Sequence, residues 1–112
     1  TIGNQGDGRF ETWFDALEFM KSEIDKRDYD VCLLGCGAYG MPLAAHVKRS
    51  GKKAVHLGGS LQLLFGIRGA RWENSNYNAT YNYSKLMNEF WVKPSATETP
   101  SKAQQVEEGC YW

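Results

Sequence analysis

Two glycine-rich turns carry the residues whose types and spacing could do chemistry. The first, Gly35-Cys36-Gly37-Ala38-Tyr39-Gly40, has the G-x-G-x-x-G spacing and directly follows the apolar run Val31-Cys32-Leu33-Leu34. Glycines there permit a tight bend and let a ligand approach the backbone closely. A helix opening at such a turn aims unpaired N–H groups and a positive dipole end at an anion such as phosphate. The second turn, Gly58-Gly59-Ser60, closes a second short run, Lys53 to Leu57. His56 sits just before it. Imidazole exchanges protons near neutral pH, so His56 is the candidate acid/base residue. Cys36 lies beside a helix N-terminus, where a thiol is expected to ionise more readily, with His56 as the nearest base for nucleophilic use. Arg68 and Arg71 follow the second turn, and guanidinium groups are natural partners for phosphate or carboxylate. An ion pair of either arginine with Glu73 is the competing reading.

These residues need a scaffold that brings both turns to one place. Val31 to Leu34 reads as a strand buried on both faces. A helical pattern follows from about Tyr39 to Ser50, with Pro42 in its first turn, where a missing N–H does no harm. Leu43, Ala44, Ala45 and Val47 are expected to face the sheet, and Gly51 precedes the second strand. Strand, glycine turn, helix, strand is a βαβ unit. It places both turns at the carboxyl edge of a parallel sheet, where ligands bind in open α/β folds. Upstream, Thr12 and Asp15 form a capping-box-like pair, and Trp13, Leu17, Met20 and Ile24 recur on one helical face. Downstream, Ser60 to Gly66 reads as a short helix, and Ser84 to Trp91 as another with Leu86, Met87, Phe90 and Trp91 on its apolar side. Pro94 and Pro100 bracket a Ser/Thr-rich connection. The aromatic end, Gly109-Cys110-Tyr111-Trp112, is expected to pack back on the domain or on a second copy, which makes it a surface for homo-oligomerisation.

A dinucleotide site of this type would want an acid closing the second strand, about 20 residues beyond the turn, to hold a ribose hydroxyl. That region reads Ala54-Val55-His56-Leu57-Gly58-Gly59 and has none. NAD and S-adenosylmethionine are demoted by this gap. Two adjacent glycine turns suit a phosphate-bearing ligand gripped by backbone instead.

The chain has 112 residues, is 42% hydrophobic and has a formal net charge of zero. These values fit a globular domain and argue against nucleic-acid binding driven by phosphate contacts. No apolar run approaches the ~18 residues of a membrane span, and no secretory leader is recognisable. Three cysteines, an odd number, read as reduced thiols in the cytoplasm, so the sequons at Asn78 and Asn82 read as chance. The opening TIGNQGDGRF has no initiator Met, Thr1-Ile2-Gly3 could end an earlier strand, and two strands are too few for a stable open sheet. The expectation is therefore the C-terminal part of a larger α/β protein. It comprises a Rossmann-like, three-layer domain with a short parallel sheet over residues 1–73, lacking its N-terminal part, and a C-terminal helix and aromatic tail over residues 74–112.

The segment GCGAYGMPLAAHVKRSGKKAVHLGGSLQLLFGIRGARWE, with the closing EEGCYW, resembles the C-terminal part of a family of proteins from bacterial surface-polysaccharide loci. The resemblance covers about Trp13 to Trp112. The layout from Leu33 to Gly59 is similar to the last portion of glycosyltransferases of the GT-D fold. The resemblance implies a Rossmann-like domain that binds a nucleotide-sugar and transfers the sugar with the help of a divalent metal held by Asp-x-Glu. No Asp-x-Glu occurs here, and Glu23-Ile24-Asp25 has the acids reversed on a helix. The implied metal motif would lie outside this chain, so these residues alone are not expected to be a competent enzyme. On this reading the glycine turns, with Arg68 and Arg71, line the phosphate side of a nucleotide-sugar. The alternative is a non-enzymatic module that binds a nucleotide or phosphosugar and assembles with itself or a transferase.

Overall fold

Thr12 opens the first helix, α1 (Trp13–Asp25), with the expected capping box. The Asp15 N–H donates to Thr12 Oγ1 at 3.1 Å, and the Thr12 N–H donates to Asp15 Oδ2 at 2.9 Å. Two donors that a helix start leaves without partners are thereby satisfied. The computed structural model describes residues 8–77, 80–105 and 107–112. The sequon at Asn78, the Thr1-Ile2-Gly3 strand end and most of the opening loop lie outside them. The described residues form two compact units, one within Asp7–Leu61 and one within Gln62–Trp112.

In the first unit, α1 leads to strand β1 (Val31–Leu34), a 3-10 turn (Gly37–Tyr39), helix α2 (Gly40–Arg49) and strand β2 (Lys53–His56). The two strands are parallel, with Val31 opposite Lys53 and Leu34 opposite His56. The molecule is thus α/β, built on a two-stranded parallel sheet. Alternation places Cys32, Leu34, Ala54 and His56 on one face of the sheet. Ala16 and Leu17 from α1, Leu34, Tyr39 from the turn and Leu43 form the buried core, with Cys32, Ala44 and Ala54 packed against it. Val47 is fully buried. Gly51, at φ +81°, ends the α2 turn in the left-handed conformation that favours glycine.

Two expectations are corrected here. β1 is buried on one face, not both: Val31 and Leu33 are 44% and 41% exposed, and Val55 beside them 44%. The helices α1 and α2 both pack on the opposite face, around Leu34. Ala45 is exposed, because it falls outside the Leu43–Val47 face of α2.

The second unit is organised by Gln62, in the middle of helix α3 (Ser60–Leu64). Its Nε2 donates to the Tyr111 carbonyl at 2.7 Å, and its Oε1 accepts from the Trp72 indole at 3.3 Å. Helix α4 (Ala70–Glu73) starts with N–H groups that no intrahelical carbonyl can reach. The chain end supplies the acceptors: Ala70 N–H donates to the Trp112 carbonyl and Arg71 N–H to the Cys110 carbonyl. Gly69 allows this approach, since a Cβ there would lie 3.0 Å from the Cys110 and Tyr111 backbone. A parallel bridge joins Ile67 to Val92. Beside it Glu73 pairs with Lys93 and Arg68, whose charges hold its carboxyl below the usual range.

The compact units divide after Leu61, and within the second the C-terminal tail is bonded to residues 62–73. The helix expected from Ser84 to Trp91 is also corrected. A single 3-10 turn, Tyr83–Leu86, forms there and Met87 is extended. Asn82 caps the start of that turn by accepting the Ser84 N–H, whereas Asn88 accepts the Phe90 N–H two residues on, a local alternative to continuing helix.

Candidate functional site

The first glycine turn follows β1 and the second follows β2, so parallel pairing brings both to the carboxyl end of the sheet. Pairing continues one residue past the strands, with Leu57 N–H donating to the Leu34 carbonyl at 2.8 Å. Gly35 and Gly58 therefore follow directly on paired residues.

The glycines divide into two kinds. Gly35 and Gly40 are required by packing. A Cβ on Gly35 would lie 2.7 Å from the Leu61 Cβ and 2.9 Å from the Gly58 carbonyl oxygen, so the two turns touch through it. A Cβ on Gly40 would lie 2.1 Å from His56 Nε2. Gly37 and Gly58 are required by conformation, with φ of +54° and +56° and nothing within 4 Å of the Cβ position. Their missing side chains face open space at the mouth of the sheet. Among the described residues the N–H groups of Gly37, Ala38, Gly58 and Gly59 donate to no acceptor. Gly35, Gly37, Ala38 and Ser60 are exposed. The N–H groups of Gly37, Ala38, Gly58 and Gly59 together make a rim of backbone donors suited to an anion.

The other candidates fall elsewhere. Tyr39 is buried, its ring stacked on Trp13 at 4.9 Å between centroids, so it holds the turn against α1 rather than facing the rim. His56 turns Nε2 inward, buried against Gly40 and without a hydrogen-bond partner. The ring occupies the space a side chain at position 40 would need, and no substrate atom reaches that nitrogen in this arrangement. Cys36 is half-buried, and burial pushes its thiol up from the ordinary value, with Cys32 nearby adding to the shift. The expectation of an activated thiol is thereby corrected, because burial disfavours the charged thiolate. Arg68 and Arg71 belong to the second unit. Arg68 is bound to Glu73, while Arg71 pairs with Glu107 and donates to the Tyr111 hydroxyl at 3.0 Å.

Sequence reasoning missed Trp13 and Leu61 as supports of the turns, and Gln62 as the anchor of the tail. A lone amide inside Leu61-Gln62-Leu63-Leu64 was the available signal for the last. Among the described residues no group of three or more His, Cys, Asp or Glu side chains is placed to hold a metal ion. No helix of these residues is long and apolar enough to cross a membrane. The chain matches no family model, no curated protein and no solved structure.

Two outcomes are expected. Gly35→Ala and Gly40→Ala should each destabilise the fold by roughly 1–3 kcal/mol through overpacking, on top of any loop effect. Gly37→Ala and Gly58→Ala should cost about 1–2 kcal/mol through backbone strain alone. Urea unfolding measures both, and equal tolerance of all four would contradict the division. A thiol reagent should label Cys36 slowly at neutral pH, with a rate that still climbs above the ordinary thiol range because the raised pKa delays the thiolate. Rapid labelling at pH 7 would contradict this.

Proposed function

We propose that this chain is the nucleotide-sugar-binding portion of a glycosyltransferase-like protein of polysaccharide biosynthesis, in a Rossmann-like arrangement. One observation carries the reading. Gly37 and Gly58, at the ends of adjacent parallel strands, both adopt left-handed conformations with open space in front of them. An α/β sheet binds ligands at that edge. Backbone donors without side-chain competitors suit the diphosphate of a nucleotide-sugar, and the resemblance of the glycine turns to the polysaccharide-locus proteins supplies the sugar.

On this reading Gly35, Gly37, Ala38, Gly58, Gly59 and Ser60 line the phosphate side, and Tyr39, Gly40, His56 and Trp13 hold the rim in shape. Their contribution is binding and orientation. The turns fix where the diphosphate sits, which sets the position of the sugar carbon attached to it. A divalent metal, where the transfer uses one, would be held by residues outside this chain. A cytoplasmic location accompanies the reading, with the three cysteines as free thiols.

Isothermal titration with UDP, GDP and their sugar conjugates, with and without manganese, tests the proposal. Binding of a nucleoside diphosphate is expected, lost in Gly37→Ala or Gly58→Ala while thermal unfolding shows those variants folded. Binding indifferent to metal would favour the non-enzymatic module. No nucleotide binding under either condition would refute both.

A further inference from the structure

In the second unit, one face of α4 and the chain end enclose an open cleft of about 270 Å³. Arg71 forms its charged wall, Tyr77 and Asn74 line another side, and Glu107, Glu108 and Cys110 close it. The guanidinium is held rigidly. Its Nη1 donates to the Tyr111 hydroxyl, and its carbon lies 4.6 Å from the Tyr111 ring centroid and 5.3 Å from that of Tyr77. Only 16% of the Arg71 side chain is exposed.

A carboxylate already sits in this place. Glu107 Oε2 takes an ion pair from Arg71 Nη2 and accepts the Cys110 thiol at 3.5 Å. Glu107 itself is 57% exposed on its side chain, so the contact is made at the rim, with the cleft continuing past it. The backbone that delivers it is unusual: Glu107 and Glu108 have φ of +46° and +57°, and Gly109 follows at +72°. Two successive non-glycine residues in this region are disfavoured, and persist where surrounding contacts hold them. The Arg71 pair is such a contact.

We propose that the Arg71 cleft is a recognition site for a small carboxylate-bearing molecule, and that Glu107 is its internal stand-in. A ligand carboxylate takes the same donors, Arg71 Nη2 and the Cys110 thiol, while Nη1 stays on the Tyr111 hydroxyl and fixes the guanidinium plane. The body of the ligand lies along Tyr77 and Asn74. Glu107 leaves as the ligand enters, which releases the backbone at 107 and 108 from its disfavoured conformation. The site lies wholly within residues 62–112 and does not depend on the glycine turns.

Benzoate is a suitable probe, with benzamide as its uncharged counterpart and inorganic phosphate as the competing anion, each titrated against the whole chain by protein-observed NMR. Glu107→Gln should tighten benzoate binding by roughly tenfold, since an internal competitor lowers apparent affinity by the fraction of time it occupies the site. Glu89→Gln removes the same charge outside the cleft and should leave affinity unchanged. Arg71→Lys, which keeps the charge but cannot hold the Tyr111 hydroxyl and a carboxylate in one fixed plane, should abolish the gain when combined with Glu107→Gln. Equal gains from the two glutamate variants would reduce the effect to net charge and overturn the proposal. So would equal binding of benzamide, tighter binding of phosphate than of benzoate, or no benzoate binding to Glu107→Gln.

Discussion

The first unit depends on two places where backbone meets its neighbours more closely than any side chain would allow. At Gly40 the first turn of α2 closes over the His56 ring, and at Gly35 the end of β1 meets Leu61 and the Gly58 carbonyl. The first contact draws α2 onto the end of β2. The second locks the two turns together. Leu43 and Val47 then bury behind them, against the inward face of the sheet. With those contacts made, Gly37 and Gly58 are left at the rim with nothing in front of them. The packing glycines thus create the geometry that the conformational glycines display, which is how one short motif serves both stability and the candidate site.

The second unit solves a different problem. It has little aliphatic material and a very short helix in α4, whose isolated stability would be marginal. Its order comes from polar links: Gln62 to Trp72 and to the Tyr111 carbonyl, the chain end to the first N–H groups of α4, and Glu73 between Lys93 and Arg68. Around Trp72 the rings of Tyr77 and Tyr83 meet edge to face at 5.4 and 5.3 Å, an arrangement aromatic quadrupoles favour. Aromatic and amide residues here replace the aliphatic core of the first unit.

Much of this was legible in the residues. The capping box at Thr12 and Asp15, the parallel pairing of two short strands and the helix between them follow from spacing and periodicity. Where those signals failed, the reasons are specific. Val31 and Leu33 are as apolar as residues buried on both sides, and composition alone does not say which face a neighbouring layer covers. Phe90 and Trp91 suggested a helix, but Met87 is extended and Asn88 binds the backbone two residues on, which ends it after one turn. The G-x-G-x-x-G spacing located the turn without revealing that its third glycine serves a histidine while its second faces solvent. Of the two local pairings with Glu73 that the sequence offered, Arg68 makes one, whereas the long-range pairing of Arg71 with Glu107 has no local signature. Cys36 misled because its position favours the thiolate while its burial opposes it, and burial depends on tertiary packing.

The central claim is that the paired glycine turns grip a diphosphate through backbone N–H groups. Mapping amide chemical shifts of the isotope-labelled chain during titration with UDP tests it most directly. The account predicts the largest, saturable shifts at the amides of Gly37, Ala38, Gly58 and Gly59, with those of β1 and β2 little changed. Shifts confined to other residues, or none at millimolar UDP, would contradict it.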